Sequence, residues 1–342
     1  MKTAVVLFNL GGPSSPDSVQ PFLFNLFNDR AIIGLPQPLR WLLAKLISAR
    51  RAPIAREIYA VMGGSSPLLA NTVAQAEGLE ARLGDDFKTF VVMRYWHPRA
   101  DAQIAAMKAW KPDQVILLPL YPQYSTTTTG SSIAEWLKVA KRSGIKAPSF
   151  EICCWPVLPG FVAAVAEGIR SALARLPTDK PRRVLFSAHG LPKKVVAGGD
   201  PYQNQVELSA AAVLQALAIP ELDFQICYQS RVGPLEWIGP ATDTEIERAG
   251  EEGVALVVAP IAFVSEHSET LVELDHEYRG LAERAGVPAY ERVATAGVHG
   301  QFLDDLTALI RERSAKPLPC ASADPDWRCP AAFVRCGRKQ GA

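Results

Sequence analysis

The sequence of 342 residues lacks a large excess of charge of either sign, because its formal net charge is +1. Such a balance gives no electrostatic reason to expect a nucleic-acid partner. The sequence also lacks any apolar run near the roughly 20 residues that a membrane-spanning helix needs. Neither the phosphate-binding pattern G-x-x-x-x-G-K-[ST] nor a G-x-G-x-x-G after the first predicted strand occurs. These absences argue against nucleic-acid-binding, membrane-spanning and common nucleotide-binding proteins.

We also predict that the N-terminus is not a cleavable signal peptide. The N-terminus MKTAVVLFNLGGP has one lysine and a short apolar run, but Gly-Gly-Pro follows where a cleavage site needs small residues. We therefore predict a first strand at this position and a cytoplasmic protein. In that compartment the six cysteines are expected to be thiols or metal ligands rather than disulfides.

Short runs rich in Val, Ile and Leu recur along the chain and are separated by amphipathic stretches. The runs are apolar on both faces, which is typical of strands in a covered parallel sheet. This alternation predicts an α/β fold. The predicted strands are AVVLFNL (4–10), FKTFVVMRY (87–95), QVILLPLY (114–121), RVLFSAH (183–189), FQICYQS (224–230) and VALVVAPIAF (254–263).

The predicted strands also indicate an internal repeat. VLFNLGGP (6–13) resembles VLFSAHGLP (184–192), and two further pairs of similar strands follow in the same order in both halves. We therefore predict two similar α/β domains joined near residues 148–160. In each predicted domain, unusual polar residues follow the carboxyl ends of the strands, where open parallel sheets bind ligands.

One such residue is His189 in SAHGLP (187–192). Taken alone, it is better explained as a histidine that is hydrogen-bonded at a strand end than as a catalytic group. Its position before a Gly-Leu-Pro turn nevertheless predicts that the imidazole faces the crevice outside the sheet.

The stretch PIAFVSEHSETLVELDHEY (260–278) begins as a buried strand and continues as a helix with many carboxylates. With Ser265 as the predicted N-cap, the side chains of Glu266, Glu269, Glu273 and Glu277 fall within about 80° of one helical face. A solvated acidic face is the alternative, and it is the better explanation for Glu273 and Glu277 considered alone. Carboxylates beside a histidine also suit a divalent first-row metal or proton transfer.

The C-terminal segment contains three of the six cysteines, namely Cys320, Cys329 and Cys336. Cysteines grouped near a tail favour metal or iron–sulfur ligation, although their spacing fits no common zinc pattern. A cluster normally needs a fourth thiolate, for which Cys153 or Cys154 is the candidate.

A series of segments links these observations along nearly the whole chain. They are LFNLGGP (7–13), RRAPIAREIYAVMGGSSP (50–67), MRYWHP (93–98), PLYPQYSTTTTGSS (119–132), FSAHGLP (186–192), GDPY (199–202), YQSRVGPLEWIGPATD (228–243) and PIAFVSEHSETLVELDHEY (260–278). With these segments the chain resembles the ferrochelatases, which insert ferrous iron into a porphyrin to make haem. The resemblance implies two Rossmann-like domains with parallel sheets and a porphyrin cleft between them.

The resemblance also implies roles for individual residues. His189 and Glu269 match the family's iron site, in which the histidine is a proton acceptor or an iron ligand, and Glu266 accompanies them. Glu273 and Glu277 would continue an acidic track for protons or incoming metal. Arg50 and Arg51 match basic residues near the propionates, where charge-assisted pairing is expected. Positions that pack on or orient the macrocycle are matched by Leu10, Arg94, Tyr95, Tyr121, Trp237 and Phe263.

The implied organisation follows from the same resemblance. Residues 1–150 form the first domain with an apolar lip at 22–47, and residues 151–300 form the second. A C-terminal helix at 301–318 packs back on the first domain, and 319–342 is a cysteine-containing extension.

The expected substrates are ferrous iron and protoporphyrin IX, since Leu10 is apolar where coproporphyrin-using relatives tend to have Tyr. No cofactor is required for the chemistry, but Cys320, Cys329, Cys336 and Cys153 or Cys154 would suit the family's [2Fe–2S] variant. The apolar lip implies peripheral contact at the inner face of a membrane. The alternatives are a non-catalytic porphyrin or haem carrier and a related chelatase that inserts cobalt or nickel into another tetrapyrrole.

Overall fold

A computed structural model describes residues 1–231 and 233–340. The chain forms two compact units. Unit 1 comprises Met1–Cys154, Leu306–Arg328 and the tail from Cys336, and unit 2 comprises Trp155–Asp305 and Cys329–Arg335. The last two positions of the predicted 319–342 extension lie outside the described residues.

The secondary structure alternates between strands and helices. The strands are β1 (Thr3–Asn9), β2 (Phe87–Met93), β3 (Gln114–Pro119), β4 (Ser149–Ile152), β5 (Arg182–His189), β6 (Asp223–Gln229), β7 (Ala255–Pro260), β8 (Tyr290–Arg292) and β9 (Cys320–Ala321). The α-helices are α1 (Val19–Phe27), α2 (Gln37–Val61), α3 (Leu68–Leu83), α4 (Ala100–Trp110), α5 (Thr129–Ser143), α6 (Pro159–Arg175), α7 (Lys193–Ala197), α8 (Tyr202–Leu217), α9 (Thr242–Glu251), α10 (Arg279–Ala285), α11 (Gly300–Ala315) and α12 (Gly337–Gln340). A 3₁₀ turn at Pro16–Ser18 and a π-helix at Glu269–Tyr278 complete the described elements.

Unit 1 is built on a parallel sheet with the strand order β2-β1-β3-β4-β9. β1 and β3 are buried along their whole length, which explains their unbroken apolar sequences. Helices α4 and α5 cover one face, where the ring of Phe8 meets that of Trp136 edge-on at a centroid distance of 5.9 Å. In this register the carboxyl ends of β1, β2 and β3 lie along one edge of the sheet.

Unit 2 repeats this plan with a parallel sheet in the order β6-β5-β7-β8. The order matches β2-β1-β3-β4 of unit 1 strand for strand, which confirms the predicted pair of similar α/β folds. His189 pairs with Gln229 at the carboxyl end of β5, and β7 ends beside them at Pro260. The three strands therefore deliver their following residues to one edge of this sheet.

The helix after β7 begins later than the sequence predicts. The prediction of Ser265 as its N-cap is wrong, because the N-cap is Ser268 and the π-helix starts at Glu269. The hydroxyl of Thr270 both accepts a hydrogen bond from the backbone N–H of His267 and donates to its carbonyl, at 3.0 Å each. These local bonds hold the preceding turn out of helical geometry. Glu266 therefore lies ahead of the helix and does not share a helical face with Glu269.

Within the described ranges, no helix combines the length and apolarity needed to cross a membrane.

Candidate active site

His189 is held at the end of β5 by contacts to its backbone. The hydroxyl of Tyr202 donates to the His189 carbonyl at 3.1 Å. The next residue, Gly190, approaches closely enough to its neighbours that a Cβ there would lie 2.9 Å from the carbonyl oxygen of Gln229. The same Cβ would lie 3.2 Å from Cε3 of Trp237, so a glycine permits this indole to pack against the turn that follows the histidine.

The imidazole of His189 is paired with the carboxylate of Glu269. The Nδ1 atom of His189 lies 2.9 Å from Oε2 of Glu269, and the two side chains are 40% and 24% exposed. Burial opposes a charge on either group, but the pairing outweighs it. The pKa of His189 is therefore raised above its ordinary value, and the pKa of Glu269 is held well below its usual range.

His267 approaches the same carboxylate from the other side. Its Nε2 atom lies 3.7 Å from Oε2 of Glu269. Its Nδ1 atom donates to the carbonyl of Ser265 at 3.0 Å, and its ring lies 4.8 Å from the ring centroid of Phe263. Two histidines therefore converge on one carboxylate, and Phe263 covers one of them.

Glu273 lies one π-helical turn beyond Glu269 and receives several hydrogen bonds. The backbone N–H and the hydroxyl of Ser230 donate to it at 2.8 Å and 2.5 Å, and Gln229 donates at 3.0 Å. The same Gln229 amide also donates to the Glu269 carbonyl at 2.9 Å. Burial, followed by repulsion from the Glu269 carboxylate, raises the pKa of Glu273. The two carboxylates thus have opposite pKa shifts, which suits a pair that passes a proton on.

The remaining predicted carboxylates have different surroundings. Glu266 accepts hydrogen bonds from the guanidinium of Arg292 at 2.7 Å and from the backbone N–H of Thr295 at 2.9 Å. Burial opposes its ionisation, but Arg292 outweighs this and lowers the pKa of Glu266. Glu277 is exposed. The structure therefore brings Glu269 and Glu273 together with His189 and places Glu266 in an ion pair with Arg292.

In unit 1, the predicted residues Arg94 and Tyr95 converge on a carboxylate that the sequence did not single out. The guanidinium of Arg94 and the hydroxyl of Tyr95 donate to Oδ2 of Asp29 at 2.8 Å and 2.7 Å. The hydroxyl of Ser131 donates to the same oxygen, and Arg94 also pairs with Glu135 at 3.0 Å. Burial opposes a charge on Asp29, but Arg94 and these donors hold its pKa below its ordinary value.

Tyr95 has no accessible surface, so its ring is not available to a ligand in this arrangement. Its backbone N–H donates to the carbonyl of Leu10 at 3.0 Å, which links two predicted pocket positions. Tyr121 is half-buried, and burial raises the pKa of its hydroxyl. Arg50 and Arg51 are exposed on α2, as basic residues near a ligand's propionates would need to be.

Four cysteines gather in unit 1 around the end of β4. The Sγ atoms of Cys153 and Cys154 lie 3.7 Å apart, and the thiol of Cys320 is hydrogen-bonded to Cys153. The hydrogen bond with Cys154, together with burial, raises the pKa of Cys153 well above the ordinary value. The hydrogen bond with Cys153, together with burial, raises the pKa of Cys320 in the same direction. Cys336 is buried and interacts electrostatically with Cys320.

Cys329 belongs to unit 2, where its Sγ atom lies 3.6 Å from Nε2 of Gln205. Across residues 1–231 and 233–340, no group of three or more His, Cys, Asp or Glu side chains is arranged as a ready metal site.

Comparison with known proteins decides which family carries this geometry. The ferrochelatase family model matches residues 2–314. The chain belongs to the ferrochelatase family. The ferrochelatase of Caulobacter vibrioides strain NA1000 is 51% identical over 346 residues, covering 100% of this chain and 99% of the relative. That of Phenylobacterium zucineum strain HLK1 is 52% identical over 349 residues, with the same coverage of both chains.

Solved structures agree on the fold. SirB from Bacillus subtilis with Fe3+ superposes with a TM-score of 0.56 at 13% identity, covering 93% of this chain and 98% of that one. The sirohydrochlorin chelatase SirB from Bacillus subtilis subspecies spizizenii, in complex with cobalt, gives 0.54 at 12% identity, with 93% and 97% coverage. Membership of this family confirms the prediction that the chain is a metallochelatase of haem biosynthesis. Such an enzyme is a lyase that acts on a porphyrin and ferrous iron. The two alternatives, a non-catalytic porphyrin or haem carrier and a chelatase that inserts cobalt or nickel into another tetrapyrrole, are not favoured.

Several residues around these sites were missed by the sequence analysis. Asp29 and Arg292 carry no local signal, because their partners lie 65 and 26 positions away in the sequence. Gln229 lies within the predicted strand 224–230, but nothing in that pattern shows that its amide joins Glu269 to Glu273. Regular spacing reveals neighbours on one helix or strand, and these contacts connect different elements.

Proposed function

We propose that this chain inserts Fe²⁺ into protoporphyrin IX with release of two protons, and that His189 and Glu269 perform the proton transfer. The observation that carries the proposal is the 2.9 Å contact between Nδ1 of His189 and Oε2 of Glu269. A carboxylate that accepts a hydrogen bond from Nδ1–H fixes the imidazole tautomer and leaves the Nε2 lone pair free to act.

The Nε2 atom of His189 then accepts a proton from a pyrrole nitrogen of the bound macrocycle. Glu269 stabilises the resulting imidazolium, which is the charged form that its carboxylate already favours. Once that proton has passed on, the freed Nε2 lone pair would suit an incoming ferrous ion, whose preferred ligands include imidazole. The exchange of two pyrrole protons for one ferrous ion requires a base and a metal ligand on one face of the macrocycle.

Glu273 provides the next acceptor along this path. Its raised pKa makes it a better proton acceptor than Glu269, whose pKa is depressed. Gln229 bonds to both residues and keeps them in a fixed relation. A proton that leaves His189 therefore has a carboxylate of higher proton affinity than Glu269 one turn further along the π-helix. From there the exposed Glu277 leads to solvent.

Anaerobic insertion assays test the proposed substrates. The chain is mixed with Fe²⁺ and protoporphyrin IX, and the loss of porphyrin fluorescence is followed. We expect faster loss with protoporphyrin IX than with coproporphyrin, and Leu10→Tyr should narrow that difference. No turnover with either porphyrin in the wild type would contradict the proposed function.

We further propose that the cysteines of unit 1 contribute ligands to a [2Fe–2S] cluster. The available ligands are of the type that such a cluster needs, because four thiols lie in one neighbourhood, namely those of Cys153, Cys154, Cys320 and Cys336. Cysteines bind metal as thiolates, so formation of the cluster would release the thiol protons. When bound, the cluster supplies metal–thiolate bonds that tie β4 to the C-terminal tail. Cys329 remains a predicted ligand.

Metal and sulfide analysis tests this cluster. Protein purified without oxygen should contain iron and acid-labile sulfide in equal amounts and absorb visible light. Cys320→Ser should abolish both signals, whereas Cys227→Ser is the matched control, since Cys227 is buried within β6. Wild-type protein free of iron and sulfide would refute the cluster and leave the proton-transfer proposal unaffected.

We also propose peripheral contact of the lip with a membrane. α2 exposes large apolar side chains, with Leu39 at 57%, Leu42 at 62% and Leu46 at 50% exposure, and an exposed patch of this kind marks a contact surface. Exposed Lys45, Arg50 and Arg51 on the same helix would attract anionic headgroups. Wild-type protein should sediment with anionic liposomes at low salt and Leu42→Asp should not. Equal behaviour of the two proteins would rule out this contact.

A further inference from the structure

Arg313 is a buried cation on α11 whose hydrogen-bonding capacity is largely unused. Its side chain is among the largest fully buried ones, at 2% exposure. Its Nη2 atom donates to the carbonyl of Ser322 at 3.1 Å. Its Nε and Nη1 atoms have no hydrogen-bond partner among the residues that the structure describes. Since a guanidinium offers five donors, most of this fork is unoccupied.

An unpaired buried guanidinium is costly and requires an explanation. Buried polar groups nearly always have hydrogen-bond partners, and buried charges are paired or bind ions. Burial lowers the pKa of Arg313, and the surrounding acidic groups only partly offset this. Arginine nevertheless stays protonated in proteins, so the buried positive charge persists and favours an anion at its open donors.

The surroundings of Arg313 identify where that anion would be. Its Ser322 partner follows β9, whose residue Cys320 is in register with Glu151 of β4. The backbone N–H of Cys153 donates to the carbonyl of Ala321 at 2.9 Å, which brings the two cysteine-bearing segments side by side. Cys153 and Cys320 both interact electrostatically with the Arg313 guanidinium. The open donors thus belong to the same neighbourhood as the thiols.

A second arginine adds to the positive charge. Arg338, on the short α12 that follows Cys336, donates to the carbonyls of Pro325 and Trp327 at 2.8 Å and 3.1 Å. It also interacts electrostatically with Arg313, and the two like charges repel. Two cations near one set of thiols are unfavourable unless the thiols carry negative charge, which metal-bound thiolates do.

We propose that Arg313 is a positioning residue for the [2Fe–2S] cluster and donates its open N–H groups to the cluster's thiolate or sulfide sulfurs. The inference rests on the proposed cluster. A [2Fe–2S] centre with thiolate ligands carries net negative charge, and hydrogen bonds to its sulfurs raise its reduction potential. Arg313 would therefore retain the cluster and make it easier to reduce.

The test compares Arg313→Gln with Arg311→Gln in the full chain after anaerobic purification. Arg311 lies on the same helix but is exposed and donates to the carbonyl of Arg82 at 2.7 Å, so it is a matched control. We expect the cluster absorption of Arg313→Gln to disappear about tenfold faster in the presence of a chelator, which is the usual scale when a group that hydrogen-bonds to a metal ligand is removed. We also expect its reduction potential to be more negative than that of the wild type. Arg311→Gln should match the wild type in both measurements.

The outcomes separate this inference from the cluster on which it rests. A wild type without iron and sulfide refutes the cluster and the role of Arg313 with it. A different outcome overturns only the role of Arg313. In it, the wild type and both variants contain the cluster, and Arg313→Gln and Arg311→Gln have the same rate of cluster loss and the same reduction potential. If Arg313→Gln does not fold, Arg313→Lys tests the inference instead. A lysine keeps the positive charge but cannot reproduce the planar set of donors of the guanidinium. We expect faster cluster loss from Arg313→Lys, and a rate and potential equal to the wild type would overturn the inference.

Discussion

Nδ1 of His189 lies 2.9 Å from Oε2 of Glu269, which joins the end of β5 to the first residue of the π-helix. The pairing raises the pKa of the imidazole and lowers that of the carboxylate. It therefore controls the protonation state of the histidine.

The first prediction concerns the titration of His189. In Glu269→Gln the carboxylate no longer offsets burial, so the pKa of His189 should fall below its wild-type value. The C–H resonances of the imidazole, followed by NMR over a pH series, measure this directly. The resonance that disappears in His276→Ala belongs to His276, which is exposed on the π-helix and serves as a reference histidine. An unchanged titration of His189 in Glu269→Gln would show that the pair does not control its pKa.

The same pair predicts a pH dependence of stability. The folded pKa of His189 is raised, so its contribution is complete below about 6.5 and is lost as the pH rises through the folded value. The folded pKa of Glu269 is depressed, so its contribution is complete above about 4.5 and is lost as the pH falls through the folded value. The free energy of unfolding should therefore differ most between wild type and Glu269→Gln from about pH 4.5 to 6.5. A difference that grows above this window would contradict the assignment.

A further prediction separates Glu266 from Glu269. Glu266 bonds to Arg292, which also donates to Asp275 at 2.6 Å and 2.9 Å. Glu266→Gln should therefore lower the free energy of unfolding by about 1.5–3 kcal/mol, the range for a hydrogen bond to a charged group. Chemical denaturation measures this loss, with the exposed Glu277→Gln as control. If Glu266 also acts in proton transfer, as the resemblance implied, the same variant will lose iron insertion at unchanged porphyrin binding.

Asp29 is predicted to hold the connection between α1 and α2 to the rest of unit 1. Asp29→Asn leaves the Arg94 guanidinium partly uncompensated, which should cost about 3 kcal/mol for a broken buried pair. Hydrogen exchange of residues 28–36 should accelerate in this variant. Asp17→Asn is the matched control, because Asp17 is exposed on the neighbouring 3₁₀ turn. Equal exchange in the two variants would mean that the Asp29 contacts do not fix this segment.

Much of the fold could be predicted from the sequence because the central strands are apolar on both faces. β1, β3, β5 and β7 coincide with predicted runs to within a few residues. The short strands β4, β8 and β9 were missed, since two to four residues carry too little pattern to be recognised. The helix start after β7 was misplaced because a threonine hydroxyl, rather than the predicted serine cap, determines the local geometry.

The candidate site was predictable only in part. The proximity of His189 to Glu269 could be predicted because each residue stands at the carboxyl end of a recognisable strand or just beyond it, at the same edge of the sheet. The partners of Arg94, Glu266 and Arg313 could not, because hydrogen bonds between distant segments leave no periodic signal. The sequence therefore indicates which residues approach the site, and the structure shows what each one is bonded to.

The central claim is that His189, oriented by Glu269, accepts the pyrrole proton. Its most direct test is single-turnover insertion of Fe²⁺ into protoporphyrin IX, measured anaerobically as loss of porphyrin fluorescence with porphyrin binding titrated separately. We predict that His189→Ala and Glu269→Gln bind the porphyrin like the wild type but insert iron about 10²–10⁴-fold more slowly, the usual contribution of general acid–base catalysis. His276→Ala should retain the wild-type rate. Full turnover in His189→Ala would contradict the account.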